Sequence, residues 1–165
     1  EPKPKPVFSD ARYWTDAGRF SPNGRYFAFV SNEAGPFEVY VTSVADPAKR
    51  WKVSRELANG WGGGGSGPRW RADGKELFYE NAGHIMSVAI RTQPDFGFGN
   101  PTPLPIPEIV QAQGLQPRQY DIMPDGKQFL VKFPPATAKG PAASPQVQVV
   151  LNWFEELKQR TGAKK

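Results

Sequence analysis

Pro68-Arg69-Trp70-Arg71-Ala72-Asp73-Gly74-Lys75-Glu76-Leu77-Phe78-Tyr79 is the stretch whose reading decides the fold. An apolar residue runs into a turn closed by glycine and a base, and an apolar run follows. The phrase recurs upstream as Phe20-Ser21-Pro22-Asn23-Gly24-Arg25 and downstream as Ile122-Met123-Pro124-Asp125-Gly126-Lys127. The three glycines, Gly24, Gly74 and Gly126, lie 50 and then 52 residues apart. A period of that size marks repeated supersecondary units. Asn23, Asp73 and Asp125 suit the turn because Asn and Asp bond their own backbone, while the glycine takes positive φ at no steric cost.

Each turn is followed by two apolar runs separated by a break: Tyr26 to Val30 and Phe37 to Val41, then Glu76 to Tyr79 and Ile85 to Ile90, then Gln128 to Phe133 and Val147 to Leu151. Aromatic and β-branched runs bounded by Gly, Pro, Asn and Asp read as hairpin-connected strands. Weaker fourth strands are expected near Trp51-Lys52-Val53-Ser54 and Pro103-Leu104-Pro105-Ile106. The middle strands are apolar at alternate and intervening positions alike, as in a sheet covered on both faces. Four-stranded antiparallel units at this interval are the pattern of β-propeller blades.

On these phrases the chain resembles the WD40-like propeller repeats of the TolB type, whose blades carry a Ser-Pro-Asp-Gly-Lys/Arg turn. It is similar above all to the C-terminal propellers attached to bacterial serine/threonine kinases and related extracytoplasmic proteins, and the ending Val149-Val150-Leu151-Asn152-Trp153 shares that likeness. The resemblance implies an all-β fold of three four-stranded antiparallel blades, a partial or open β-propeller with a short C-terminal helix. The expected division is a proline-rich arm over 1–17, blades over 18–154 (about 18–56, 68–107 and 118–152), and a helix with a basic tail over 153–165. Propellers close with four to eight blades. Three leave two outer faces, so other protein subunits, a second copy, or further blades are expected to cover them.

Composition narrows the function. The chain has 165 residues, no cysteine and one histidine. Disulfides and thiolate chemistry are thereby excluded, and no apolar run reaches the length of a membrane span. An opening on Glu1 without methionine is compatible with a removed export signal. Together with the resemblance, this places the expected location in the periplasm or elsewhere outside the cytoplasm. The net charge of +5 gathers partly in the tails, with Lys3 and Lys5 at one end and Lys158, Arg160, Lys164 and Lys165 at the other. Nucleic-acid binders cluster bases on one face, so no nucleic-acid partner is expected.

No constellation for catalysis, metal or cofactor is expected. His84 sits at the Asn81-Ala82-Gly83 hairpin and reads as a turn residue. Asp73 and Asp125 are explained by turn formation rather than by paired-carboxylate chemistry. The tract Gly62-Gly63-Gly64-Gly65-Ser66-Gly67 lacks the Gly-Lys-Ser/Thr ending of a phosphate loop and reads as a connection between blades. The residues offered as partner contacts are Trp61, Phe96, Phe98, Trp153 and Phe154; the last two would stand on a helix capped by Asn152 and Glu155. Long connectors over 57–68, 108–117 and 134–145 are expected on one face. The Gly-closed turns and the 92–98 loop are expected on the other. The function expected is a non-enzymatic interaction module, a structural or accessory subunit of an extracytoplasmic or membrane-associated assembly. The alternative is a ligand-sensing propeller segment of a kinase or TolB-like protein.

Overall fold

Side chains along a strand point alternately to two faces, and from Leu77 to Asn81 both faces are buried. A computed structural model describes residues 12–55, 64–110, 119–123 and 126–134 and the backbone of 146–150. The first blade comprises β1 (Thr15–Phe20), β2 (Tyr26–Ser31), β3 (Glu38–Ser43) and β4 (Arg50–Lys52), hydrogen-bonded in that order. The second comprises β5 (Ser66–Trp70), β6 (Glu76–Asn81) and β7 (His84–Arg91), with β8 (Gly97–Phe98) and β9 (Thr102–Pro103) both paired to β7. The third shows β10 (Tyr120–Ile122), β11 (Phe129–Phe133) and β12 (Gln146–Val150). All pairings are antiparallel.

The repeated turns are nearly superposable. Gly24, Gly74 and Gly126 have φ of 69°, 69° and 71°. Each glycine N–H donates to the carbonyl three residues back, on Ser21, Arg71 and Met123, at 2.8, 2.9 and 2.8 Å. Those same three residues donate their own N–H to Tyr26, Glu76 and Gln128 at 2.9 Å in every case. Asn23 and Asp73 accept the N–H of Arg25 and Lys75 through Oδ1 at 3.0 Å each.

Counting from these glycines assigns the faces. In the strand after each turn (β2, β6, β11) even positions look toward the following blade, and the parity reverses in β3 and β7: Tyr26, Ala28 and Val30 meet the second blade, and Phe78 meets the third. Odd positions look back: Leu77 and Tyr79 toward the first blade, Phe129 and Val131 toward the second. Two cores result. One joins Tyr26, Ala28, Val39 and Val41 to Trp70, Leu77, Tyr79 and Val88; the other joins Phe78 and Ile85 to Leu104, Tyr120, Phe129 and Val131. First strands of successive blades are also tied: the Trp70 indole N–H donates to Arg19 O at 3.1 Å, and the Tyr120 hydroxyl to Gly67 O at 2.8 Å. At the two ends, Phe20 on the first blade and Leu130 on the last remain 58% and 44% exposed.

A bulge repeats as well. The β1–β2 and β5–β6 registers both shift, between Asp16 and Arg19 and between Ser66 and Arg69. Within each shift one residue is left-handed, Gly67 at φ 58° and Ala17 at φ 56°. An L-residue loses about 1–2 kcal/mol there, while glycine costs about 0.5–1 kcal/mol more chain entropy. Ala17→Gly is therefore expected to stabilise the protein by about 0.5–1 kcal/mol, read as a higher urea midpoint at constant m-value.

The outer edge of the second blade departs from expectation. A strand was expected over 103–106, but the described strands are β8 and the two-residue β9. Leu104 N–H still donates to Ile85 O of β7 at 2.8 Å, whereas Ile106 N–H turns back to Leu104 O at 2.8 Å, and both side chains enter the second core. Prolines at 101, 103 and 105 explain the interruption, because proline has no N–H for a ladder. Arg12 to Trp14 form no strand; Trp14 instead exchanges hydrogen bonds with Asn32. The expected C-terminal helix lies outside the described residues.

Candidate functional site: a cleft on the turn face

The connectors and the tight turns emerge on opposite faces among the described residues. Gly65 N–H donates to Phe37 O at 2.9 Å and Ile109 N–H to Gly83 O at 2.8 Å, so both described connector ends cross the middle hairpin loops. On the other face the turns follow one another closely: a Cβ built on Gly74 would lie 3.7 Å from Pro22 Cδ. One built on Gly126 would lie 2.6 Å from Arg71 Cγ.

Where the first two turns meet the end of β7 there is a cleft of about 540 Å³, within the usual range for ligand sites. Pro22 and Asn23 of the first turn, Asp73 and Lys75 of the second, and Arg91 to Gln93 after β7 line it. Turn geometry holds these side chains in place. Asp73 is anchored by Arg71, which donates Nε to Oδ1 at 2.8 Å and Nη2 to Oδ2 at 2.7 Å. Arg71 Nη1 also donates to Glu76 at 2.7 Å, and the Ser87 hydroxyl donates to the other Glu76 oxygen. The Arg71 hydrogen bonds hold the Asp73 carboxyl below its ordinary range, whereas burial pushes Glu76 up. Lys75 and Arg91 are exposed and neither makes an ion-pair contact with a carboxylate among the described residues; Lys75 acts on Asp73 at longer range, and Arg91 Nη1 donates to Gln93 O at 3.5 Å.

An aromatic group backs this region. Phe96 packs on Trp51 and Tyr26, with ring centroids 4.4 and 4.8 Å away, and on Phe98 at 6.1 Å. Of the residues expected to contact a partner, Phe96 is thus buried at the junction of the first two blades, and Phe98 is half-buried beside it. Trp61, Trp153 and Phe154 lie outside the described residues, as does Asp125. His84 opens β7 opposite Asn81. Among the described residues no group of three His, Cys, Asp or Glu side chains is placed to hold a metal, and no helix is long and apolar enough to cross a membrane. The cleft itself had no sequence signal beyond the turns, because Lys75 and Arg91 meet through the β6–β7 register and Asn23 reaches them only by blade packing.

Comparison with known folds agrees with the blade geometry. TolB from Acinetobacter baumannii superposes with a TM-score of 0.57 at 15% identity, over 84% of this chain and 29% of TolB. The fold is of the TolB propeller type. A candidate TolB from Agrobacterium tumefaciens gives 0.49 at 15% identity, covering 81% of this chain and 44% of its own. An oligogalacturonate lyase in complex with manganese gives 0.42 at 14%, covering 68% and 27%. This chain thus spans less than a third of the length of the A. baumannii TolB. No protein-family model and no curated protein sequence matches it.

Proposed function

We propose that the chain is a non-enzymatic protein-interaction module of an extracytoplasmic assembly, and that a protein partner seats in the turn-face cleft. The observation that carries this reading is the cleft itself. It lies at a blade junction, its walls are turns fixed by glycine backbone and Asx hydrogen bonds, and the rim side chains Asn23, Lys75, Arg91 and Thr92 line it. Rigid turns presenting accessible polar side chains suit binding, since little ordering entropy is lost on association. The exposed Phe20 and Leu130 offer a second kind of contact, on the end blades, where a further blade or subunit would pack. The TolB-type fold supports a binding role and an envelope location, while fold alone fixes neither.

A photo-crosslinking amino acid at Thr92 tests the proposal. In cells of the source organism it is expected to give a discrete heavier adduct, and the same probe at Glu33, near the β2–β3 loop on the opposite face, is expected to give none. Equal adducts from both positions, or none from Thr92, would refute it. The alternative of a small-ligand sensor, such as a propeller segment carried by a kinase, predicts no protein adduct at Thr92.

A further inference from the structure

The base that closes each repeated turn is not needed to form the turn. Glycine supplies the positive φ, and the Asx side chain accepts the backbone N–H of the base rather than its side chain. Repetition nevertheless places Arg25, Lys75 and Lys127 at equivalent, exposed positions on one face, one per blade. Arg91, at the end of β7, adds a fourth cation beside Lys75 on the cleft rim. Of the charged groups lining the cleft, Asp73 is held by both nitrogens of the Arg71 fork, so its charge is already compensated. Glu76 does not line the cleft and is turned toward Arg71 and Ser87. Asp46 and Asp95 stand on loops of the same face but not in the lining. The cleft rim therefore presents two exposed cations with no carboxylate in ion-pair contact among the described residues, flanked by the neutral side chains of Asn23, Thr92 and Gln93.

From this juxtaposition we infer that the cleft takes an acidic peptide segment of its partner, with carboxylates set against Lys75 and Arg91 and the chain running over the turns of the first two blades. The inference rests on the protein-interaction reading above and specifies its chemistry. A peptide is favoured over a compact anion because the rim residues Asn23, Lys75, Arg91 and Gln93 are all exposed along an open junction, and among the described residues no ring of backbone N–H groups converges on one point. The N–H of Gly74 and that of Lys75 are both already used within the turn.

Binding of a fluorescein-labelled hexaglutamate peptide to the whole chain, followed by anisotropy, tests this against a hexaglutamine peptide. Hexaglutamate alone is expected to bind, and Lys75→Gln/Arg91→Gln is expected to weaken it roughly tenfold, as two exposed ion pairs allow. Raised salt should weaken it further. The charge-preserving pair Lys75→Arg/Arg91→Lys should bind like the parent. The pair Arg12→Gln/Lys132→Gln, which removes as much charge away from the cleft, should leave binding unchanged. No hexaglutamate binding, or equal loss in the two charge-removing pairs, would overturn the inference. Displacement of the peptide by an equal concentration of inorganic phosphate would also overturn it, in favour of a small-anion site. A Thr92 adduct combined with no hexaglutamate binding would leave a protein partner at the cleft and remove only its acidity.

Discussion

Phe78→Ala is expected to lower the unfolding free energy by about 3–5 kcal/mol, the usual cost of truncating a fully buried phenylalanine. Phe78 is fully buried on the face of β6 that meets the third blade, and its ring stands edge-on to Phe129 at 5.0 Å and 86°. Ile85, Leu104, Ile106 and Ile109 belong to the same cluster. A change of that size is a large part of a domain's net stability of about 5–15 kcal/mol. In a stack of units each held by its neighbours, the damage should concentrate on the third blade. Hydrogen exchange should accelerate first in β10 and β11, and urea unfolding should broaden or split. A double-mutant cycle with Phe129→Ala should return a coupling of about 0.5–1.5 kcal/mol for the edge-on pair. A loss below about 1 kcal/mol for Phe78→Ala would contradict the packing of the third blade on the second.

Gly65→Ala is expected to cost about 1–3 kcal/mol by overpacking. A Cβ there would lie 2.9 Å from Tyr79 Cδ2 and 2.9 Å from Val39 Cγ2, both inside the first core. The backbone cannot readily retreat, because Gly65 N–H is bonded to Phe37 O at 2.9 Å. Gly24→Ala makes the contrast: nothing lies within 4 Å of its added Cβ, so only the left-handed conformation is penalised. Shortening one wall, as in Gly65→Ala/Val39→Ala, should make the double variant less damaged than the sum of the single changes. Thermal or urea unfolding of Gly24→Ala, Gly65→Ala, Val39→Ala and the double variant measures both effects, and strict additivity would refute the close contact.

The parts of the fold legible in the sequence are those that a single residue type enforces. Positive φ at Gly24, Gly74 and Gly126 could be expected from the turns alone, and the strands followed from the apolar runs beside them. The bulge was hidden because its left-handed residue is glycine in β5 but Ala17 in β1, where composition gives no hint. The short outer edge of the second blade was hidden because Ile106 looks like a strand residue, yet pairing with β7 stops at Leu104 and the chain turns back there. Phe96 looked available for a partner, and its burial against Trp51 and Tyr26 is a tertiary fact. The cleft depends on the approach of Pro22 to Gly74 and on the Arg71 fork around Asp73, neither of which sequence spacing can reveal.

Because even positions of the strand after each turn glycine look forward and odd ones look back, every blade has a front and a rear of different composition. Copies of such a unit join in one direction only, as plugs fit sockets. Tandem duplication of about fifty residues can thus lengthen the array without redesigning any seam, in keeping with nearest-neighbour stacking. A single-residue insertion between a turn and its middle strand would instead exchange front for rear. Length variation among natural versions of this architecture should therefore arise in whole units or in connectors, and scarcely at all between turn and strand.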